Sequence, residues 1–129
     1  MANKQERKFS VKERIQSFGY AFNGLKILLR EEHNARIHLM IAIGVIIAGI
    51  FFRLSIIEWI VVCLLICFVF AMEIINSSIE NLCDYVCPEQ NERIKKTKDL
   101  AAAGVLLAAM ISIIAGFVLF IPKIVQLLN

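Results

Sequence analysis

The sequence has 129 residues, of which 59% are hydrophobic and 19% charged, and its mean hydropathy is +0.73. That length suits one domain, residues 1–129. Hydrophobicity this high, gathered in long runs, excludes a soluble globular domain and points to an integral membrane protein. The net charge of +3 is modest, so its distribution matters more than its sum, and no nucleic-acid partner is expected.

The first eight residues are polar and are expected to fray. No short apolar core with a small-residue cleavage site opens the chain, so no signal peptide is expected. Ser10-Val11-Lys12-Glu13 has the form of a capping box, in which hydroxyl and carboxylate satisfy free amides at a helix start. Apolar residues then recur at Val11, Ile15, Phe18, Phe22, Leu25 and Leu29, a single stripe on a helix over about 10–30. Lys12, Arg14, Lys26 and Arg30 occupy other positions. Such a helix lies in the membrane interface, and Gly19 and Gly24 are expected to bend or break it.

Glu31 to Arg36 reads as a short polar hinge, with Glu32 and Arg36 spaced to pair on a helical surface. A second helix that brings Glu32 toward Glu80 would give it a sharper role. Glu31 looks solvated. The first span is predicted over about 34–52, extended into the headgroups by the polar residues before it. His38, near this end, reads as an interfacial or packed histidine. Arg53 to Glu58 forms a tight turn, and the second span follows over about 56–86 until Pro88 forbids more helix. Pro88 to Lys98 is a polar loop. The third span is predicted over about 98–121, closed by Pro122 and Lys123. Gly104, Ala108, Ser112 and Gly116 recur every four residues along it, a seam for close helix approach. The fold class is therefore all-α: three transmembrane helices plus an N-terminal amphipathic surface helix.

Eight Lys and Arg precede the first span and four lie between the second and third; only Arg53 and Lys123 lie on the other side. The positive-inside rule places the N-terminus and the 81–99 loop in the cytoplasm. The four cysteines, at 63, 67, 83 and 87, are spaced i, i+4 in pairs. Zinc sites favour tighter pairs with added His, so these read as small apolar core residues, with no case for disulfides.

The chemistry centres on the second span. Glu73, Asn76, Glu80 and Asp84 share one face of its helix, with Ser77 beside them. Acids in hydrocarbon cost at least ~2.5 kcal/mol each, so they face a bundle interior or cavity and are functional candidates. Acids that repel one another are most simply relieved by a bound cation. Glu32, Lys98 and Asp99 fall on the same cytoplasmic face, where a phosphate donor and a lipid headgroup can meet. Phosphoryl transfer needs carboxylate-held Mg²⁺, a cation on the phosphates and a base near the acceptor. Glu73, nearest the apolar run and poorly solvated, suits the base; Glu80 suits the metal and Lys98 the phosphates. The usual nucleotide cradles are absent from the sequence. The bland alternatives are a structural polar seam for Glu73, Asn76 and Glu80, a solvated helix extension for Asp84, and a charged helix cap for Lys98 and Asp99. A small proton-coupled transporter is the runner-up class, although its acid belongs near mid-bilayer and its helices form pseudo-symmetric repeats. A non-catalytic membrane scaffold is a third.

The string Glu73-Ile-Ile-Asn76-Ser77-Ser78-Ile79-Glu80, followed by Asp84, resembles the signature of the prokaryotic diacylglycerol kinase family, which includes undecaprenol kinases. So do Glu32-His-Asn34-Ala-Arg36 and Lys98-Asp99. The resemblance covers about residues 14–121. It implies a homotrimer in the bacterial inner (cytoplasmic) membrane, with active sites shared between subunits. The implied reaction transfers the γ-phosphate of MgATP to a lipid hydroxyl: diacylglycerol giving phosphatidic acid, or alternatively undecaprenol giving its phosphate. By matching position, Glu73 would be the catalytic base, Asn76 would orient the site, and Glu32 and Glu80 would hold Mg²⁺. Lys98, Asp99, Asp84 and Tyr20 would lie on the nucleotide, with Glu89 and Asn91 at a nucleotide-loop position. Arg14 matches the family's arginine with a shift of one position. Ser77 and Arg36 would lie beside Glu73 on the lipid side.

Overall fold

The computed structural model describes residues 10–89 and 91–129, so the expectation for the first eight residues lies outside the described residues. Four helices follow one another: α1 (Val11–Glu31), α2 (His33–Phe51), α3 (Ile56–Val86) and α4 (Glu92–Leu128), with no strand among the described residues. The last three are long and apolar enough to cross a membrane.

α1 starts where the sequence places it, with the Ser10 hydroxyl accepting from the Glu13 amide at 3.4 Å. It is unbroken for 21 residues, so Gly19 and Gly24 do not interrupt it. Each glycine costs about 1 kcal/mol against alanine, which a helix this long absorbs. Its stripe of Val11, Ile15, Phe18 and Phe22 is exposed, and only Leu28 is buried. An amphipathic helix whose apolar face meets no protein has that face available to lipid.

The expected hinge contracts to one residue. Glu32 is extended (φ −96°, ψ 118°), closing α1 through its amide to the Leu28 carbonyl and opening α2 through its own carbonyl to the Arg36 amide. At the other end of α2, the Leu54 amide bonds the Gly49 carbonyl and the Arg53 amide bonds the Ile50 carbonyl. This is a Schellman closure, with Arg53 in the left-handed region at φ 51° where glycine is usual. Leu54 folds back over Gly49, and Trp59 covers the same spot: a Cβ on Gly49 would stand 2.8 Å from the indole. Ser55 and Glu58 then form a full capping box for α3.

Helices α2 and α3 pack along a seven-residue line. Ala35, Ala42 and Gly49 are buried on α2; Val62, Val69, Asn76 and Cys83 are buried on α3. A repeat of seven keeps one seam facing the partner in a left-handed pair, and the small α2 residues let the backbones approach. Cys83 is on this line, whereas Cys63 and Cys67 are exposed on the span and Cys87 is half-buried, so only one of the four is a core residue; all are free thiols.

The α3–α4 pair is the most extensive. Gly104 receives Met72, and Ala108 is fully buried. Gly116 faces open space, so the small-residue seam packs within the chain along only part of its length. Two boundaries of α4 differ from expectation. It begins at Glu92, not Lys98, because the Asn91 side chain caps it by accepting from the Arg93 amide at 2.8 Å. It also runs through Pro122 to Leu128. Membrane helices tolerate an internal proline, and this end is held by Lys123, 2.9 Å from Glu58, and by Phe120 against Phe52.

Candidate active site

Seven-residue spacing carries α3 out of its apolar stretch with one face still turned inward. Three polar side chains are buried on it: Glu73, Asn76 and Ser77. Glu73 is the most buried large side chain described, at 2% exposure. Burying an acid at the end of a membrane span is costly, so its neighbours matter.

Each neighbour comes from a definable element. The Ser77 hydroxyl donates to Glu32 Oε1 at 2.8 Å, across 45 residues of sequence. The helix break at Glu32 makes this possible, since it turns the carboxylate out of the α1 helical path and onto α3. Arg36 does not pair with that carboxylate; its Nε donates to the Glu32 backbone carbonyl at 3.4 Å. One residue before Ser77, Asn76 Nδ2 donates to Glu80 Oε1 at 3.2 Å. The carboxylates of Glu32 and Glu80 are therefore each tethered to one of two adjacent residues of α3.

Deeper, His38 Nε2 of α2 stands 3.2 Å from Glu73 Oε1, at ion-pair distance but without the alignment of a hydrogen bond. Glu73 Oε1 and Asn76 Oδ1 have no hydrogen-bond partner among the described residues. Two buried acceptors left open side by side suit a donor brought by a ligand, such as a hydroxyl. From the sequence His38 reads as an interfacial or packed histidine. The signal available was its position one turn inside a span, where a histidine faces the bundle.

Toward the other end of the stripe, Lys98 Nζ donates to Asp84 Oδ1, joining α4 to α3. A cleft of about 580 Å³ opens beside this pair, lined in part by Asp84, Glu89, Asn91, Lys98 and Asp99. Five of the nucleotide-side candidates thus surround one space. Arg14 and Tyr20 do not line it; both lie on exposed α1 positions.

Among the described residues no group of three His, Cys, Asp or Glu is placed to hold a metal ion. The donors nonetheless suit Mg²⁺. It takes one or two carboxylates and completes its shell with water and phosphate oxygens, rather than needing an all-protein cage.

The prokaryotic diacylglycerol kinase family matches residues 19–120. An undecaprenol kinase of Bacillus subtilis is 37% identical over 110 residues, covering 85% of this chain and 89% of its own. A diacylglycerol kinase of Synechocystis sp. is 34% identical over 115 residues (88% of this chain, 66% of that one). A diacylglycerol kinase of Haemophilus influenzae is 30% identical over 107 (82% and 91%).

Proposed function

This chain belongs to the prokaryotic diacylglycerol kinase family, a multi-pass lipid kinase of the bacterial membrane with ATP as donor, and on that premise we propose how its residues divide the work. Glu73 is the base, and its burial with an open Oε1 carries the reading. The acceptor hydroxyl gives its proton to Glu73; its oxygen bonds the γ-phosphorus as the bond to the β–γ bridging oxygen breaks, and ADP leaves. Asn76 orients the site, with Ser77 and Arg36 on the lipid side. Glu32 and Glu80 would hold Mg²⁺, which supplies charge neutralisation on the phosphates. Asp84, Glu89, Asn91, Lys98 and Asp99 take the nucleotide, and Tyr20 and Arg14, which do not line that cleft, would reach one only across a subunit boundary.

Helix geometry supports this division. Glu73 and Glu80 are about 10 Å apart along the axis, at 1.5 Å per residue. The base therefore lies at the hydrocarbon edge while the phosphates remain on the aqueous side. The N-terminus and the α3–α4 loop are cytoplasmic in this reading, the whole chain is one kinase domain, and the working unit is a homotrimer with sites shared between subunits.

Two acceptors fit one hydroxyl above apolar chains: diacylglycerol, which would give phosphatidic acid, and undecaprenol. The similarity to the Bacillus undecaprenol kinase, over nearly its full length, favours undecaprenol. The test is phosphorylation in mixed micelles with MgATP and either lipid. Glu73→Gln should lower turnover by about 10²-fold or more, the scale of a lost general base, while ATP binding and thermal unfolding stay unchanged. Turnover near that of the parent chain would remove Glu73 from the base role.

A further inference from the structure

We propose that His38 is a positioning residue for Glu73: its imidazole holds the buried carboxylate in the orientation in which it accepts the hydroxyl proton. This rests on the kinase reading above and adds to it a residue outside the α3 stripe.

The placement follows from α2. Ala35 and Ala42 lie three residues before and four after His38, and both are buried against the bundle. His38 therefore shares the inward face of α2, between two small side chains that let this helix approach α3. Its Nε2 comes to 3.2 Å from Glu73 Oε1. Among the described residues, His38 is the only basic group within ion-pair distance of that carboxylate.

Charge makes the placement consequential. Glu32 and Glu80 are tethered to the turn next to Glu73, so three acids crowd one region. A metal and its phosphates would engage the outer two. Glu73 is deeper, and a carboxylate without a polar partner there is strongly disfavoured. The imidazole is 20% exposed and the carboxylate 2%, so His38 is the outer member of the pair. The contact is not aligned as a hydrogen bond, so Oε1 keeps its capacity to accept one.

The experiment compares the full-length protein with His38→Gln and His38→Leu in mixed micelles, with MgATP and undecaprenol or diacylglycerol. Gln retains a donor near the Nε2 position; Leu retains bulk alone. We expect kcat to fall at least about 10-fold in His38→Leu, less than the roughly 10²-fold or more of losing the acid–base group itself, because His38 acts through Glu73. His38→Gln should fall between it and the parent, and KM for MgATP should stay within about twofold, as expected when only transition-state stabilisation is lost. If His38→Leu does not fold, His38→Asn replaces it, being polar but too short to reach Oε1. Equal kcat in all three proteins, equal loss in both variants, or a loss confined to KM overturns the proposal while leaving the kinase reading intact. No turnover by the parent chain with either lipid overturns both.

Discussion

Ser77→Ala is the most informative single change outside the acids. Ser77 is buried, and its hydroxyl is the donor that holds the Glu32 carboxylate on α3 at 2.8 Å. A hydrogen bond to a charged group contributes about 1.5–3 kcal/mol, and each ~1.4 kcal/mol is a factor of ten. Removing it should therefore weaken whatever depends on Glu32 being there by roughly 10- to 100-fold. Two assays read this. The Mg²⁺ concentration for half-maximal turnover should rise, because one carboxylate of the proposed pair is released. Thermal unfolding should come at lower temperature, because the same bond ties the α1–α2 corner to α3. A cycle with Glu32→Ala, which removes the acceptor, sharpens the result, since groups in direct contact are non-additive. The double variant should cost less than the sum of the singles, with a coupling of about 1.5 kcal/mol or more. Additive effects in both assays would show that the bond does not operate, and the convergence of Glu32 with Glu80 would lose its main support.

Two further outcomes follow from particular contacts. Glu80→Gln keeps an acceptor for Asn76 Nδ2 but removes the charge, so it should raise the Mg²⁺ requirement with little change in unfolding temperature; an unchanged Mg²⁺ titration would argue against the metal role. Gly49→Ala and Gly104→Ala should differ sharply in unfolding. At Gly49 the new methyl meets the rigid Trp59 ring and should cost about 1–3 kcal/mol, whereas at Gly104 it meets only the mobile end of Met72, which can swing aside. Equal losses at the two sites would contradict the packing described.

The fold and much of the site were legible because membrane burial makes polar residues expensive. Glu73, Asn76 and Glu80 stand out on an otherwise apolar helix, and the seven- and four-residue spacings can be read directly from the chain. The unreadable parts depend on long-range partners. Glu32 looked paired with Arg36 because i, i+4 is the only neighbour a sequence shows; its carboxylate instead meets Ser77, 45 positions on. His38 had no local partner at all. Helix α4 continues past Pro122, a stop signal in isolation, and contacts from Phe120 and Lys123 hold the chain around it. Two caps were present as signals: Ser55-x-x-Glu58, and Asn91 before Glu92.

Helix α3 has 31 residues, about 46 Å at 1.5 Å per residue, against a hydrocarbon core of about 30 Å. From Ser55 to Glu73 is about 27 Å, close to that thickness. The helix is thus a ruler with Glu73, the proposed base, at one mark and Glu80, a proposed metal ligand, a fixed distance beyond. A thicker bilayer would draw the turn of Glu80 into hydrocarbon, and a thinner one would expose Glu73 to water. Lipid thickness becomes a coordinate of the reaction, set by hydrophobic mismatch rather than by any residue of the site.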